Sequence, residues 1–307
     1  MKKYRSYSEK EKFSVEESDM RRWKKLVAMT AMAAIMISSL AGCGGNAGEG
    51  SSTNGNTVQT GATGEDTSLE EIKAKGELVL GLDASFPPMG FTNEENEIVG
   101  YDIDLAKEVC KRMGVELKIQ PINWDAKQQE LDTKNIDCIW NGFSSNAERQ
   151  EAMTLSVPYM ENHQVLVVPV DSSIETKEDL AGKVVELQKG STAADALEEP
   201  ENKEFKDSLK EAILIADNVK AMMDLGTGCD AVLMDKVVAD YYLAKQEGKY
   251  RILEDTLSDE EYVIGFRKGD ESLKNEVETQ LKAMVADGTM SAIDNEWFGQ
   301  DVSTIGK

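Results

Sequence analysis

Histidine is nearly absent from this chain, which has one, His163, among 307 residues. A Ser-His-Asp triad or a histidine-rich zinc site is therefore not expected. The sequence also has no P-loop and no GxGxxG motif followed by a suitable acid. These absences argue against the common hydrolase, zinc and nucleotide-dependent chemistries. We predict that the protein is not an enzyme and needs no metal ion and no cofactor.

Basic residues are also scarce in this sequence. Lys and Arg total 34 against 57 Asp and Glu, which gives a formal net charge of -23. A protein that binds nucleic acid needs a basic surface to attract the phosphates. We therefore predict no nucleic-acid partner, and the acidic excess favours solubility.

Long apolar runs are limited to residues 26–40, which follow a cationic segment at residues 21–25. This run is shorter than the roughly 20 residues that a membrane-spanning helix needs, but it suits the apolar region of a signal peptide. It leads into Leu40-Ala41-Gly42-Cys43, which resembles the bacterial lipobox, whose cysteine is diacylated and becomes the new N-terminus after cleavage. We predict that residues 1–42 are a signal peptide. Cys43 would carry diacylglycerol and palmitate chains, which anchor a protein without spanning the bilayer.

The first 19 residues do not fit a signal peptide, because they are polar and of mixed charge. They precede Met20, from which an ordinary cationic segment would begin. We interpret Met20 as the true start, with the codons of Glu16-Glu17 forming a purine-rich ribosome-binding site. After Cys43, residues 44–64 are rich in Gly, Ser, Thr and Asn, a composition typical of a flexible tether. We assign residues 43–68 to the lipidated cysteine and its tether.

Cysteine is rare as well, with four in the chain. Apart from Cys43, the remaining three are Cys110, Cys138 and Cys229, and an odd number cannot all pair within one chain. Cys110 lies on an apolar helical face and Cys138 in an apolar segment, so we predict buried thiols. A disulfide between Cys110 and Cys138 is the alternative.

From residue 69 onward, short apolar segments alternate with segments of helical periodicity. This alternation is typical of α/β units with largely parallel sheets. The predicted strands are residues 78–82, 115–119, 136–143, 165–170, 184–187, 213–216, 231–234 and 262–266. The predicted helices include residues 103–113, 219–225, 237–246, 273–286 and 290–297.

Two β-rich segments flank a block of about 90 residues that has its own α/β pattern. We interpret the chain as two lobes that are joined by two crossings. The first lobe would be residues 69–164 plus 268–307, and the second residues 170–261. Residues 165–169 and 262–267 would be the hinge strands.

Several motifs resemble those of the family 3 extracellular solute-binding proteins, the polar amino-acid receptors of ABC importers. The segment GYDIDL at residues 100–105 is similar to the family signature, and further similar segments follow in the same order along residues 69–299. They are DASFPP (83–88), residues 136–149, SVPY (156–159), LAGKV (180–184), GST (190–192), GCDAV (228–232) and EWFG (296–299). The resemblance implies a two-lobed periplasmic-binding-protein fold of type II, with two mixed, mainly parallel sheets, flanking helices and a two-stranded hinge.

The resemblance also implies a cleft for an amino-acid zwitterion, which needs a cation for its carboxylate and an anion for its ammonium. Arg149 stands where the family has its carboxylate-binding arginine, and a guanidinium offers two parallel donors that match a carboxylate. Asp235 follows an apolar strand and suits the ammonium; a helix N-cap is the alternative. One departure is that Asn146 and Ala147 stand where the family often has Thr or Ser and Pro or Gly, which affects the geometry of this loop.

Other predicted ligand contacts rest on the same resemblance. Gly142 would let the backbone approach the ligand, and Ser144 would offer an N–H and a hydroxyl. Thr192 opens a helix whose N–H groups favour a carboxylate. Phe86 and Trp124 would sandwich the ligand, although core packing is an alternative for Trp124.

Further residues would set the selectivity for the ligand side chain. Asp83, Asn141 and Gln188 are candidates for contacts with the ligand side chain. Glu186 stands where the family strand is usually apolar. It would favour a cationic side chain or simply face solvent.

The predicted function is a monomeric substrate-binding lipoprotein on the outer face of the cell membrane. It would bind a polar or cystine-like amino acid and deliver it to an ABC permease and its ATPase subunit. One alternative is a ligand-sensing receptor. Another is a dehydratase-type cleft enzyme with Asp83 or Glu186 as the general acid.

Overall fold

The alternating apolar segments form the strands of a mixed sheet in a computed structural model that describes residues 65–307. The predicted signal peptide, Cys43 and most of the predicted tether lie outside the described residues. The sheet has nine strands in the order β10-β9-β11-β8-β12-β6-β1-β5, with β7 beside β12, and β2, β3 and β4 form a separate small sheet. The strands are β1 Glu77–Leu82, β2 Ser85–Phe86, β3 Gly90–Thr92, β4 Ile98–Val99, β5 Glu116–Pro121, β6 Cys138–Ser144, β7 Met153–Leu155, β8 Met160–Pro169, β9 Val184–Gln188, β10 Glu211–Ile215, β11 Ala231–Asp235 and β12 Tyr250–Arg267.

Helices lie between most of the strands. Several of them bury one apolar stripe, as the periodicity predicts: the second helix buries Ile103, Leu105, Val109 and Met113. Over residues 65–307, no helix is long and apolar enough to cross a bilayer. The α-helices are α1 Ser68–Lys75, α2 Tyr101–Met113, α3 Lys127–Asp132, α4 Ala147–Ala152, α5 Thr192–Glu198, α6 Lys203–Ser208, α7 Asn218–Asp224, α8 Lys236–Lys245, α9 Glu271–Ala286 and α10 Thr289–Trp297.

Parallel pairing dominates the two ends of the sheet and antiparallel pairing its middle. We call β6, β1 and β5 the first half-sheet and β10, β9 and β11 the second half-sheet; the neighbours within each pair in parallel. Between them, β8 and β12 pair antiparallel with each other and with the adjoining strand of each half. The predicted α/β class is confirmed. The two predicted sheets are joined into one because β8 and β12, the central pair, continue the hydrogen bonds from one half-sheet to the other.

The central pair is longer than the sequence predicts. The strand predicted at residues 262–266 begins at Tyr250 and covers 18 residues, and β8 begins at Met160. In the added part of β12, Leu253 and Leu257 are buried among residues that are exposed or partly exposed. That mixture lacks the continuous apolar run by which buried strands are predicted.

The three cysteines of the described chain are free and buried, so the prediction of buried thiols is confirmed and the alternative disulfide between Cys110 and Cys138 is wrong. Burial raises the pKa of the Cys110 and Cys229 thiols to about 12. These thiols are therefore protonated at neutral pH and behave as small apolar side chains.

We predict that Leu80→Ala lowers the free energy of unfolding by about 2–5 kcal/mol, because it opens a cavity at a fully buried position of β1. Leu80 is 0% exposed, whereas the strand residue Leu214 is 53% exposed. The control Leu214→Ala should change stability by less than about 0.5 kcal/mol. Urea unfolding measures both, and equal losses would contradict this picture of the core.

Candidate ligand-binding site

The predicted site residues stand at the carboxyl ends of strands from both half-sheets. Asp83 directly follows β1, Ser144 ends β6, Gln188 ends β9 and Asp235 ends β11. Since β1 is parallel to β6 and β9 is parallel to β11, each half-sheet presents these ends along one edge. Open α/β sheets usually bind ligands outside the carboxyl ends of their strands. The fold therefore gathers residues that are up to 152 positions apart in sequence, from Asp83 to Asp235.

Arg149 lies in the first turn of α4 with its guanidinium buried. The side chain of Asn146 caps this helix by accepting the Arg149 N–H at 2.8 Å, so asparagine does here what the family's Thr or Ser would do. Nη1 donates to the Ser144 carbonyl at 2.6 Å, and the guanidinium lies 4.4 Å from the centre of the Phe143 ring. The residue is 7% exposed. Within residues 65–307 the guanidinium forms no ion pair, so a buried cation lacks a carboxylate in contact.

The charges around Arg149 are nevertheless mostly negative. Burial lowers the pKa of Arg149 from its ordinary value, while Asp195, Glu260 and Asp235 raise it. Because the ordinary value lies far above neutrality, the guanidinium stays charged. The site thus combines one fixed cation with several acids that do not touch it.

A band of polar side chains crosses one face of the sheet near its middle, and we call it the polar band. Residues that pair directly across neighbouring strands lie on one face, as do residues two apart within a strand. Asp235 pairs with Gln164, and Glu260 pairs with Asn162. The polar band consists of Ser144 from β6, Asn162 and Gln164 from β8, Asp235 from β11, and Glu260 and Tyr262 from β12.

Asp235 is held within the polar band by neutral donors. Its Oδ1 accepts hydrogen bonds from Asn162 Nδ2 and from the Tyr262 hydroxyl, both at 2.8 Å. The alternative role as a helix N-cap is not supported, because its side chain forms no capping hydrogen bond to α8. Burial, and then the negative charge of Glu260, raise the pKa of Asp235 to about 7.

Glu260 belongs to the same band, although the sequence analysis did not identify it. Its Oε2 accepts hydrogen bonds from Ser144 Oγ at 2.6 Å, Gln164 Nε2 at 3.0 Å and Asn162 Nδ2 at 3.2 Å. Three donors from two strands thus converge on one oxygen. The available signal was the pair Asn162 and Gln164, two amides two positions apart in β8, directly before the apolar run of that strand.

Thr192 brings the second half-sheet into contact with Ser144. The Thr192 hydroxyl donates to Ser144 Oγ at 3.4 Å and accepts from Gln164 Nε2 at 3.5 Å. Ser191 caps the short helix α5 at this point. One connected region therefore holds four of the residues predicted from the sequence: Arg149, Ser144, Thr192 and Asp235.

The three candidates for side-chain selectivity form a second polar cluster. Asp83 Oδ2 accepts from Gln188 Nε2 at 2.7 Å, and Asn141 Oδ1 accepts the Asp83 N–H at 3.0 Å. Asn141 Nδ2 is buried without a hydrogen-bond partner among the described residues. Glu186 is buried too, and burial and then the charge of Asp224 raise its pKa. It therefore does not face solvent, which was one reading of its position.

Gly142 provides a close approach between backbone and aromatic rings. Its φ is +53°, and an added Cβ would lie 2.7 Å from Phe86 Cε1 and 3.2 Å from the Tyr262 ring. The Gly142 N–H donates to Asp102 Oδ2 at 2.7 Å, and that oxygen also accepts from the Tyr159 hydroxyl at 3.0 Å. A larger residue at position 142 would have to displace Phe86. Asp102, the first acid of the GYDIDL motif, holds this strand in place.

The two predicted aromatic contacts lie in different apolar clusters. Phe86 packs against Gly142 in the main core, whereas Trp124 packs with Phe143 at a ring distance of 6.0 Å. Phe143 in turn underlies the Arg149 guanidinium. Trp124 is 9% exposed, so it combines core packing with a place beside the arginine.

Several polar contacts join residues near Arg149 to the loop before α5. Lys127 Nζ donates to the Gly190 carbonyl at 2.9 Å, and Lys189 pairs with Asp125 at 2.8 Å. Gly190 has a φ of +71°, and a Cβ there would lie 3.3 Å from the Asp125 Cα. Segments that follow strands of the two half-sheets are therefore in contact at the site.

A wide groove of about 1820 Å³ lies elsewhere, lined by Phe91, Tyr241 and Trp297 among other residues. None of the predicted site residues lines it. Asn162 of the polar band lines one part of it. The cations in its lining are lysines, which lack the two parallel donors with which a guanidinium matches a carboxylate.

Comparisons with known proteins agree with this architecture. Residues 78–300 match the family described as bacterial extracellular solute-binding proteins, family 3. The L-cystine-binding protein TcyJ of Escherichia coli (strain K12) is 30% identical over 238 residues, which are 76% of this chain and 87% of that protein.

Two solved structures are similar at the level of the fold. One is an ABC uptake transporter substrate binding protein from Streptococcus pneumoniae with bound histidine. It is 35% identical with a TM-score of 0.75, over 78% of this chain and 98% of that one. The other is Tv2483 bound to L-arginine, 32% identical with a TM-score of 0.75, over 79% and 99%. On this combination of sequence match and fold, the chain belongs to the bacterial extracellular solute-binding proteins of family 3.

Proposed function

We propose that this protein is the substrate-binding lipoprotein of an ABC importer, and that it binds a polar amino acid between two lobes and delivers it to the permease. The observation that carries the proposal is the buried Arg149 guanidinium, which has no carboxylate in contact within residues 65–307. A buried charge without a partner is costly, and a paired one much less so. A ligand carboxylate would supply the missing anion.

The ligand's ammonium would bind at Asp235, on the other side of Ser144 from Arg149. Relatives that bind cystine, and similar structures that hold arginine or histidine, support an amino acid as the ligand. Asp195 and Glu260, the further acids around Arg149, favour a ligand with more than one cationic or amine group. Asp83, Asn141 and Gln188 would meet the part of the ligand beyond the α-carbon.

The lobes would be residues 69–164 plus 268–307 and residues 170–261, which close about residues 165–169 and 262–267. The contacts of Lys127 with Gly190 and of Lys189 with Asp125 support a closed state, since they join residues of the two proposed lobes directly. A ligand that touches both half-sheets would favour this closed state over an open one. The closed form would then dock on the permease, which carries its ATPase subunit on the cytosolic side.

Membrane attachment would come from Cys43. The family consists of extracellular proteins, and the apolar run followed by Leu40-Ala41-Gly42-Cys43 supports a lipid anchor on the outer face of the cell membrane. Two acyl chains hold a protein stably at a bilayer where one chain does not.

We predict that one or a few amino acids raise the melting temperature of the protein in a screen of the twenty amino acids, cystine and small amines. A ligand at a hundredfold excess over its Kd stabilises the folded state by about 2.7 kcal/mol. Arg149→Ala should weaken binding by at least about thirtyfold, because it removes one partner of a buried charge pair.

The matched control for this screen is Arg112→Ala, since Arg112 pairs with Glu108 and Asp287 away from the site. It should leave the shift unchanged. If no amino acid stabilises well-folded protein, the proposed ligand class is wrong. Turnover of prephenate or arogenate would then favour the dehydratase alternative.

We predict that Cys43→Ser abolishes lipidation, so that the protein no longer partitions into the detergent phase and no longer carries diacylglycerol by mass spectrometry. Processing after Gly42 should fail as well, because the modified cysteine is the residue that the lipobox presents. The protein should still bind its ligand. A membrane-bound, correctly processed Cys43→Ser protein would rule out this anchor.

A further inference from the structure

Two carboxylates of the polar band share one donor. Asn162 Nδ2 donates to Asp235 Oδ1 at 2.8 Å and to Glu260 Oε2 at 3.2 Å. A single nitrogen can bond both oxygens only if the two carboxylates lie close together. Like charges at such a distance resist being ionised at the same time.

The immediate partners of these carboxylates are uncharged. They are Asn162, Gln164, Ser144 and Tyr262. Arg149 faces the pair from α4 without forming an ion pair with it, and Asp195 adds negative charge from α5. On the flanking elements, His163 of β8 pairs with the exposed Asp259, and Lys236 of α8 pairs with Asp240. The pair therefore lacks a cation in direct contact within the described chain.

A third hydrogen-bond acceptor belongs to Gln164, which pairs with Asp235 across neighbouring strands. Gln164 is 0% exposed, and its Oε1 has no hydrogen-bond partner among the described residues. Its Nε2 is committed as a donor to Glu260 and Thr192, which fixes the orientation of the amide. A buried acceptor without a donor is costly, and a bound N–H group would satisfy it.

We propose that Glu260 is a further ligand-binding residue, which forms the ammonium pocket together with Asp235 and Gln164, and that the ligand ammonium displaces a proton held by Asp235 beside Glu260. This inference rests on the proposed function. An ammonium group has three N–H donors, and the pocket offers two carboxylates and the free Gln164 oxygen as acceptors. The proton balance is simple: the ammonium enters with its charge, the Asp235 carboxyl loses one proton to solvent, and both carboxylates are then ionised.

The pH dependence follows from the proton on Asp235. Burial and the neighbouring Glu260 charge raise the pKa of Asp235 to about 7 without ligand, and a bound ammonium favours the ionised form. Below pH 7 the ligand must expel the proton, so affinity should fall by up to about tenfold per pH unit. Above pH 7 the carboxyl is already ionised and affinity should level off.

The test uses protein that has been unfolded and refolded to remove any ligand it carries, titrated calorimetrically with L-cystine and with L-arginine. Each titration is run in two buffers of different ionisation enthalpy. We expect release of about one proton per ligand at pH 6, falling towards none by pH 8. Glu260→Gln should reduce the proton release at pH 6 and weaken binding at pH 8 by about tenfold or more.

Glu261→Gln is the matched control, because Glu261 is the exposed neighbour on the opposite face of β12. It should leave affinity and proton release unchanged. Binding by Glu260→Gln with the affinity and proton release of the parent protein would overturn the inference. So would a variant that only melts at a lower temperature while its proton release stays the same.

A second arm does not depend on the ligand. Residue-resolved carbon-13 NMR of the ligand-free protein should show the Asp235 carboxyl titrating near pH 7, separately from Asp102, whose pKa burial also raises to about 7. Glu260→Gln should lower the pH at which Asp235 titrates and leave that of Asp102 unchanged. Asp235 titration below pH 5 in the parent protein would refute the carboxylate pair. If no amino acid of the melting-temperature screen binds while Asp235 titrates near pH 7, the proposed function fails and the carboxylate pair stands.

Discussion

The isolated positive charge of Arg149 governs how the rest of the site is built. It is buried against Phe143 and the Ser144 carbonyl, with acids nearby but none in contact. If one of those acids paired with it, the site would be electrostatically complete and would have little attraction for a carboxylate. The acids are instead satisfied by amides and hydroxyls, which leaves the cation available. The polar band is therefore both a support for Asp235 and Glu260 and a means of keeping them away from Arg149.

The sequence predicted the parts of this arrangement that depend on local pattern. The apolar runs gave β1, β6, β9 and β11 within a few residues, and Arg149 was expected at a helix start from its resemblance to the family position. Glu260 could not be found in this way. It lies in a strand segment of consecutive polar residues, and a glutamate in such a segment usually faces solvent. Only its pairing with Asn162, about a hundred residues away in sequence, directs it inward.

For the same reason, the sequence could not predict that the two half-sheets belong to one continuous sheet. Periodicity predicts that a strand exists, but its neighbours depend on register between distant segments. Asp83 and Gln188 illustrate this for the site. Each was a candidate on its own, and their direct hydrogen bond appears only when β1 and β9 are brought together at the site. The division of the site into two polar clusters, one around Arg149 and one around Asp83, is for that reason a tertiary feature.

The contacts between Lys127 and Gly190 and between Lys189 and Asp125 have a consequence for transport. They are made by the protein alone, so on the proposed closure of the two lobes part of the free energy that favours the closed form would not come from the ligand. A fraction of empty molecules would then be closed at any moment, and the importer would meet both loaded and unloaded receptors. The importer could then distinguish loaded from unloaded receptors only by the fraction of each that is closed. The ligand sets that difference, because it binds the closed form more tightly than the open form. Weakening the contacts of Lys127 and Lys189 would lower the apparent affinity for the ligand, and it would also lower the fraction of empty receptors that engage the importer. The strength of these contacts therefore affects how efficiently the importer is used, and not which ligand it carries.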